Sequence, residues 1–247
     1  PVMFRVRDQS SGARAWKFRS DSANSGTYDD GGMRPGNELL WKYMTESYYG
    51  STPAVVDAVV YVCGIYDINA IDAITGTLLW NSPEGGGWSS PAIVDNIVYV
   101  GSNDYNISAL DASTGGVIWK YRTGSIVYSS PSVADGIVYA GSRDGNLYAL
   151  DAATGTLLWN YPTGDQVRSS PAVADGIVYF ASTDCNLYAL DARTGALIWK
   201  YTTAGELYST PAVADGVVYI PGTDDTLYAL DASTGAVLWT YPVVTGW

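Results

Sequence analysis

Histidine is absent from this 247-residue chain. Its absence removes Ser-His-Asp and Cys-His nucleophile pairs, His-rich zinc sites and the commonest general base. Cysteine is nearly absent: Cys63 and Cys185 stand alone, outside any Cys-x-x-Cys pair. They fall at different phases of a repeat described below, so two unpaired structural thiols are expected and no disulfide between them. Cations are scarce as well, with 13 Lys and Arg against 25 Asp and Glu and a formal charge of −12. This argues against nucleic acid, whose binding relies on clustered Lys and Arg. No apolar run approaches the roughly 20 residues that cross a bilayer, so no membrane span is expected. The N-terminus lacks a basic region followed by an apolar stretch, so no signal peptide is visible, although a trimmed chain would look the same. Phe numbers only 3, whereas Tyr reaches 20 and Gly 27. That balance fits an all-β protein with many turns and half-buried strand faces.

What the chain does have is repetition. A unit Ala-x-Asp-x-x-Thr-Gly-x-x-x-Trp occurs five times and ends at Trp80, Trp119, Trp159, Trp199 and Trp239, 39 or 40 residues apart. A period of that size, built of short alternating strands and turn residues, indicates stacked supersecondary units. In the copy from Ser169 to Trp199, SSPAVADG alternates and turns at Asp175-Gly176, a pair suited to a hairpin with φ > 0 at its centre. IVYFAS should be the most buried strand, LYALDA the third and ALIWKY the fourth. Four short antiparallel strands in about 40 residues make one propeller blade.

Most of the acidity is turn chemistry. Asp57, Asp95, Asp135, Asp175 and Asp215 recur in one turn, Asp67, Asp104, Asp144, Asp184 and Asp224 in a second, and Asp72, Asp111, Asp151, Asp191 and Asp231 in a third. Asp favours tight turns by bonding its own backbone. The glycines Gly76, Gly115, Gly155, Gly195 and Gly235 each precede a repeat tryptophan by four residues. A left-handed, side-chain-free corner there would let the indole of one blade lie over the turn of the next. Tyr61, Tyr99, Tyr139, Tyr179 and Tyr219 share one phase of the second strand and are read as structural too.

The expected architecture is a single all-β domain over residues 1–247, a β-propeller with four-stranded antiparallel blades. Five repeats occupy 44–241, a degenerate N-terminal blade segment occupies 1–43 and a closing tail 242–247. In the N-terminal segment Asp8, Gly12 and Trp16 reproduce the repeat spacing, and 38–43 resembles an outer strand. Six blades are predicted, with a fragment of a longer ring as the alternative.

Function must lie where the blades differ. The residue three before each repeat proline should sit at the mouth of the central channel. It reads Gly50, Trp88, Tyr128, Arg168 and Tyr208, with Trp247 at the same phase. Aromatics with one Arg could stack on a sugar, an aromatic ligand or a peptide, or could simply cover the rim. The non-identical acids worth naming, Asp29-Asp30, Glu46 and Asp224-Asp225, fall at different repeat phases and are not expected to make an opposed catalytic pair. No catalytic residue and no metal ligand is assigned.

SSPAVADGIVY at 169–179 and LYALDARTGALIW at 187–199, with close copies in all five repeats, resemble the PQQ-like β-propeller repeat family. Its members include quinoprotein alcohol dehydrogenases and the BamB type of outer-membrane assembly lipoprotein. The similarity covers roughly residues 3 to 247, and the stretch from Trp16 to Gly26 looks like the leader common to extracytoplasmic members. The dehydrogenase branch implies a larger eight-bladed ring, adjacent cysteines and a calcium site. This chain has no vicinal Cys-Cys and too few residues for such a ring, so no cofactor is expected and PQQ enters only through the resemblance. The expectation is therefore a non-catalytic interaction scaffold outside the cytoplasm, with a protein or cell-surface partner. A carbohydrate- or quinone-binding module at the rim and a degenerate PQQ-dependent dehydrogenase-like domain are the alternatives.

Overall fold

The computed structural model describes residues 41–43 and 51–243. Among them the chain forms five four-stranded antiparallel sheets, each a simple meander. The blades span 54–82, 92–122, 132–162, 172–202 and 212–242. The middle one shows the pattern: an inner strand Ser132–Ala134, a second strand Ile137–Gly141, a third Asn146–Asp151 and an outer strand Leu157–Pro162. The expected N-terminal hairpin, the tail beyond 243 and all of the sixth blade except 41–43, which are not assigned as strand, lie outside the described residues.

Local chemistry sets each strand's ends. The hairpin at Asp135-Gly136 has φ of 50° and 74°, the paired left-handed geometry of a two-residue turn. The third turn closes on Asp151, whose carboxylate accepts from the Thr154 backbone N–H at 2.8 Å and its hydroxyl at 2.8 Å. These bonds hold the Asp151 carboxyl below the usual carboxylate range. A register shift between Ala149 and Leu150 follows, the bulge that lets the outer strand leave the turn.

Second and third strands are buried along both faces, because each sheet is sandwiched between its neighbours. The core accordingly lies between blades. One cluster joins Tyr139, Leu147 and Val167 to Val178, Phe180 and Leu190 of the next blade, and equivalents recur at the other junctions.

At each junction one carbonyl accepts twice. Trp119 Nε1–H donates to the Ala152 carbonyl at 2.9 Å, and the Tyr99 hydroxyl donates to the same oxygen at 3.2 Å. Trp80 with Tyr61, Trp159 with Tyr139 and Trp199 with Tyr179 repeat this on Ala112, Ala192 and Ala232. Trp41 makes the corresponding bond to Ala73 at 2.7 Å and lies against Gly76. Trp239 is 45% exposed, and among the described residues its indole N–H has no acceptor.

Nearer the axis, the residue before each repeat proline forms a second chain of contacts. The Thr52 N–H donates to Ser90 Oγ, Ser90 N–H to Ser130 Oγ, Ser130 N–H to Ser170 Oγ and Ser170 N–H to Thr210 Oγ1, at 2.9 to 3.1 Å. Each blade is thus tied to the next at both radii.

Burial, reinforced by nearby Asp carboxylates, pushes the phenols of Tyr61, Tyr99 and Tyr179 up to about 12 from an ordinary 10.0. A raised phenol favours the neutral form in the fold. Its contribution is complete below pH 10 and is lost as pH climbs through 12. Urea midpoints should therefore be level up to about pH 10 and then fall steeply alongside phenolate absorbance. A midpoint that stays constant across this interval would contradict the interblade role of these tyrosines.

Candidate binding rim

The segment joining each outer strand to the next inner strand crosses one end of the molecule, and its path is fixed by the following blade. Gly124 N–H donates to Asp144 Oδ2 at 2.7 Å, and the Tyr148 hydroxyl donates to the same oxygen at 2.8 Å. Asp184 holds Gly164 and Tyr188 in the same way, and Asp224 holds Ala204 and Tyr228. Burial disfavours charge on Asp144 and Asp184, but the hydrogen bonds outweigh it and leave both carboxyls lowered. The acid Asp224 is therefore part of a blade junction, while Asp225 sits at the neighbouring hairpin tip with φ of 56°. Asp29-Asp30 and Glu46 lie outside the described residues.

Past this anchor the chain extends and side chains alternate. Val127, Val167 and Leu207 point inward and are fully buried. The next residue must then face out, which brings Tyr128, Arg168 and Tyr208 to the rim; Trp88 takes the corresponding place one blade earlier. Trp88 is 58% and Tyr208 44% exposed, while Tyr128 and Arg168 are half-buried. Gly50 and Trp247 lie outside the described residues.

These side chains form a continuous line. The Trp88 and Tyr128 rings meet edge-on with centroids 6.3 Å apart. The Arg143 guanidinium lies 5.4 Å over Tyr128, and its Nε–H donates to Gln166 Oε1 at 2.8 Å. Arg168 donates its own Nε–H to that same oxygen at 2.9 Å and lies 5.4 Å over Tyr208. The Tyr208 hydroxyl donates to Glu206, which raises the phenol's pKa.

The repeat's family can be placed from here. The profile described as outer membrane protein assembly factor BamB matches residues 66–170 and 162–245. The chain belongs to this family. Among solved structures, BamB from Moraxella catarrhalis is 25% identical with a TM-score of 0.73, over 82% of this chain and 64% of that one. The quinohemoprotein alcohol dehydrogenase from Comamonas testosteroni is 21% identical with a TM-score of 0.76, over 94% of this chain and 49% of that one. A europium-containing methanol dehydrogenase is 16% identical with a TM-score of 0.79, over 92% of this chain and 58% of that one. The last two likenesses concern the fold alone. The chain spans about half to two thirds of the length of these structures. A comparison with curated proteins gives no match.

Three members of the rim line in this BamB-family chain were not singled out from sequence: Arg143, Gln166 and Glu206. A signal for them exists. The residue two before each rim position reads Gly86, Ile126, Gln166 and Glu206, and the residue before the second-turn Asp reads Asn103, Arg143, Thr183 and Thr223. Both positions vary in chemistry, the second of them against the recurrent Asp that follows it. Backbone bonds from Arg143 to Ile126 and from Thr183 to Gln166 place the two series side by side.

Proposed function

We propose that this chain is a non-catalytic interaction propeller that presents its rim to a protein partner outside the cytoplasm. One observation carries the reading. The blade junctions repeat the same carbonyl, hydroxyl and carboxylate contacts, whereas chemical variety collects in the line from Trp88 to Tyr208. A uniform frame with a varied, outward-facing edge suits recognition rather than turnover. The family's description as an outer-membrane assembly factor supports both a protein partner and an extracytoplasmic setting. Among the described residues no helix is long and apolar enough to cross a membrane.

The dehydrogenase alternative fits these residues poorly. Cys63 is wholly buried in the first blade and Cys185 occupies a hairpin tip of the fourth, so they cannot supply the adjacent pair that the resemblance implies. A carbohydrate or quinone at the rim is favoured by one observation, the exposed indole of Trp88.

A photo-crosslinking phenylalanine analogue placed at Trp88 should capture protein from a cell-envelope extract, whereas the same group at Ala153, on the opposite end, should not. Equal yields at the two positions would remove the rim from consideration. Added quinone and calcium should give no dye-linked alcohol oxidation, and turnover above background would restore the enzyme reading. In a glycan array, binding lost in Trp88→Ala and Tyr208→Ala would favour the carbohydrate reading.

A further inference from the structure

We infer that Arg143 and Arg168 form a carboxylate-binding site, and that its occupant is an acidic peptide segment of a partner protein. The inference rests on the interaction reading above and names the chemistry of the partner.

Charge placement makes the first argument. Acids outnumber bases by 25 to 13, which leaves carboxylates in excess of the cations that need a partner. Lys120 has one, in Glu84. Arg143 and Arg168 instead share the neutral Gln166, both donating to its single amide oxygen at 2.8 and 2.9 Å. Two guanidinium groups are thereby gathered on one oxygen, and among the described residues neither is ion-paired to a carboxylate. Like charges so arranged repel, and an anion arriving from outside relieves that repulsion.

The two rim acids are otherwise engaged. The Asp165 carboxylate accepts from the Gln166 N–H at 2.8 Å, and Glu206 accepts from the Tyr208 hydroxyl. Neither acid is ion-paired to Arg143 or Arg168 among the described residues.

The geometry of the guanidinium groups makes the second argument. Each lies over a tyrosine ring and uses its Nε–H on Gln166, so orientation is fixed before any ligand arrives. The terminal Nη groups have no acceptor among the described residues. They offer paired, parallel N–H bonds, the arrangement that matches a carboxylate and gives Arg its advantage over Lys there. Both side chains are half-buried, which lessens screening by solvent.

An acidic sugar would offer the same carboxylate but asks for an open aromatic face on which to stack. Tyr128 and Tyr208 each have a face occupied by a guanidinium, and Trp88 presents its ring beside Tyr128. A peptide needs no such face. Its Asp or Glu meets the arginine pair, and an apolar neighbour in the same segment covers Trp88.

Fluorescence anisotropy with the purified chain tests this directly, using a labelled peptide of alternating Glu and Gly. Binding is expected to weaken about ten-fold or more when Glu is replaced by Gln, and similarly in the Arg143→Gln, Arg168→Gln double variant. Arg193→Gln, on a turn at the opposite end, should bind as the parent does, and matching thermal melts would show the double variant folded. Raised salt should weaken the parent's binding more than the double variant's. No binding of the Glu peptide, or equal binding by parent and double variant, overturns the inference. Tighter binding of a uronate oligosaccharide than of the peptide overturns the assignment to a peptide. Crosslinking at Trp88 that persists in the double variant leaves the interaction reading standing and ends only this inference.

Discussion

Replacing Gly195 with valine is expected to destabilise the fold by roughly 2–5 kcal/mol, the sum of a left-handed backbone penalty and an overpacking penalty. Gly195 has φ of +72°, and a Cβ built on it would stand 2.7 Å from Trp159 Cδ2 and 2.8 Å from Cε3. The indole cannot retreat easily, because its Nε1–H is bonded to the Ala192 carbonyl and Tyr139 packs against its ring. Valine therefore meets strain in its own backbone and in the neighbouring blade together. Arg193→Ala lies two residues away in the same turn, is exposed, and should change stability by no more than about 0.5 kcal/mol. Urea unfolding of the two variants beside the parent decides the matter. Equal midpoints would mean that the turn does not clamp the indole.

Trp119→Ala is the second large effect, expected to cost about 3–5 kcal/mol. The side chain is 8% exposed, tilts against Tyr99 with centroids 6.0 Å apart and covers Gly155 of the next blade. Truncation leaves a void between two sheets and deprives the Ala152 carbonyl of one of its two donors. Trp119→Phe keeps much of the contact but not the hydrogen bond, and should fall between alanine and parent. Because each blade touches mainly its neighbours, loss at one junction weakens coupling along the whole row. A loss under about 1 kcal/mol for alanine would show that the junction is held by the aliphatic strands alone.

Strand pairing, turn type and the order of the four strands were readable in the repeat because each depends on neighbours close along the chain. Asp175-Gly176 demands its hairpin and Asp191 its capped turn, and both form where the pattern places them. The outer strands were less transparent. Leu197 and Ile198 both face solvent, although strict alternation would bury one of them. The bulge between Ala189 and Leu190 opposite them breaks that alternation, and hydropathy alone does not reveal it.

The candidate rim was legible only in part. Variation against a constant background picked out Trp88, Tyr128, Arg168 and Tyr208, since one loop phase brings them to the same edge. Gln166 escaped notice, because variation at its loop phase marks a variable position without showing that two arginines meet on it. Arg143 comes from a hairpin of its own blade, 23 residues before Gln166.

Sequence alone determined the period, the strand-and-turn grammar and the family, since those rest on local backbone preference repeated at a fixed spacing. Tertiary structure alone decided which side chains share a space. The union of Arg143, Gln166 and Arg168 exists because packing sets one sheet against the next, and the distance across that junction is not encoded in any single repeat.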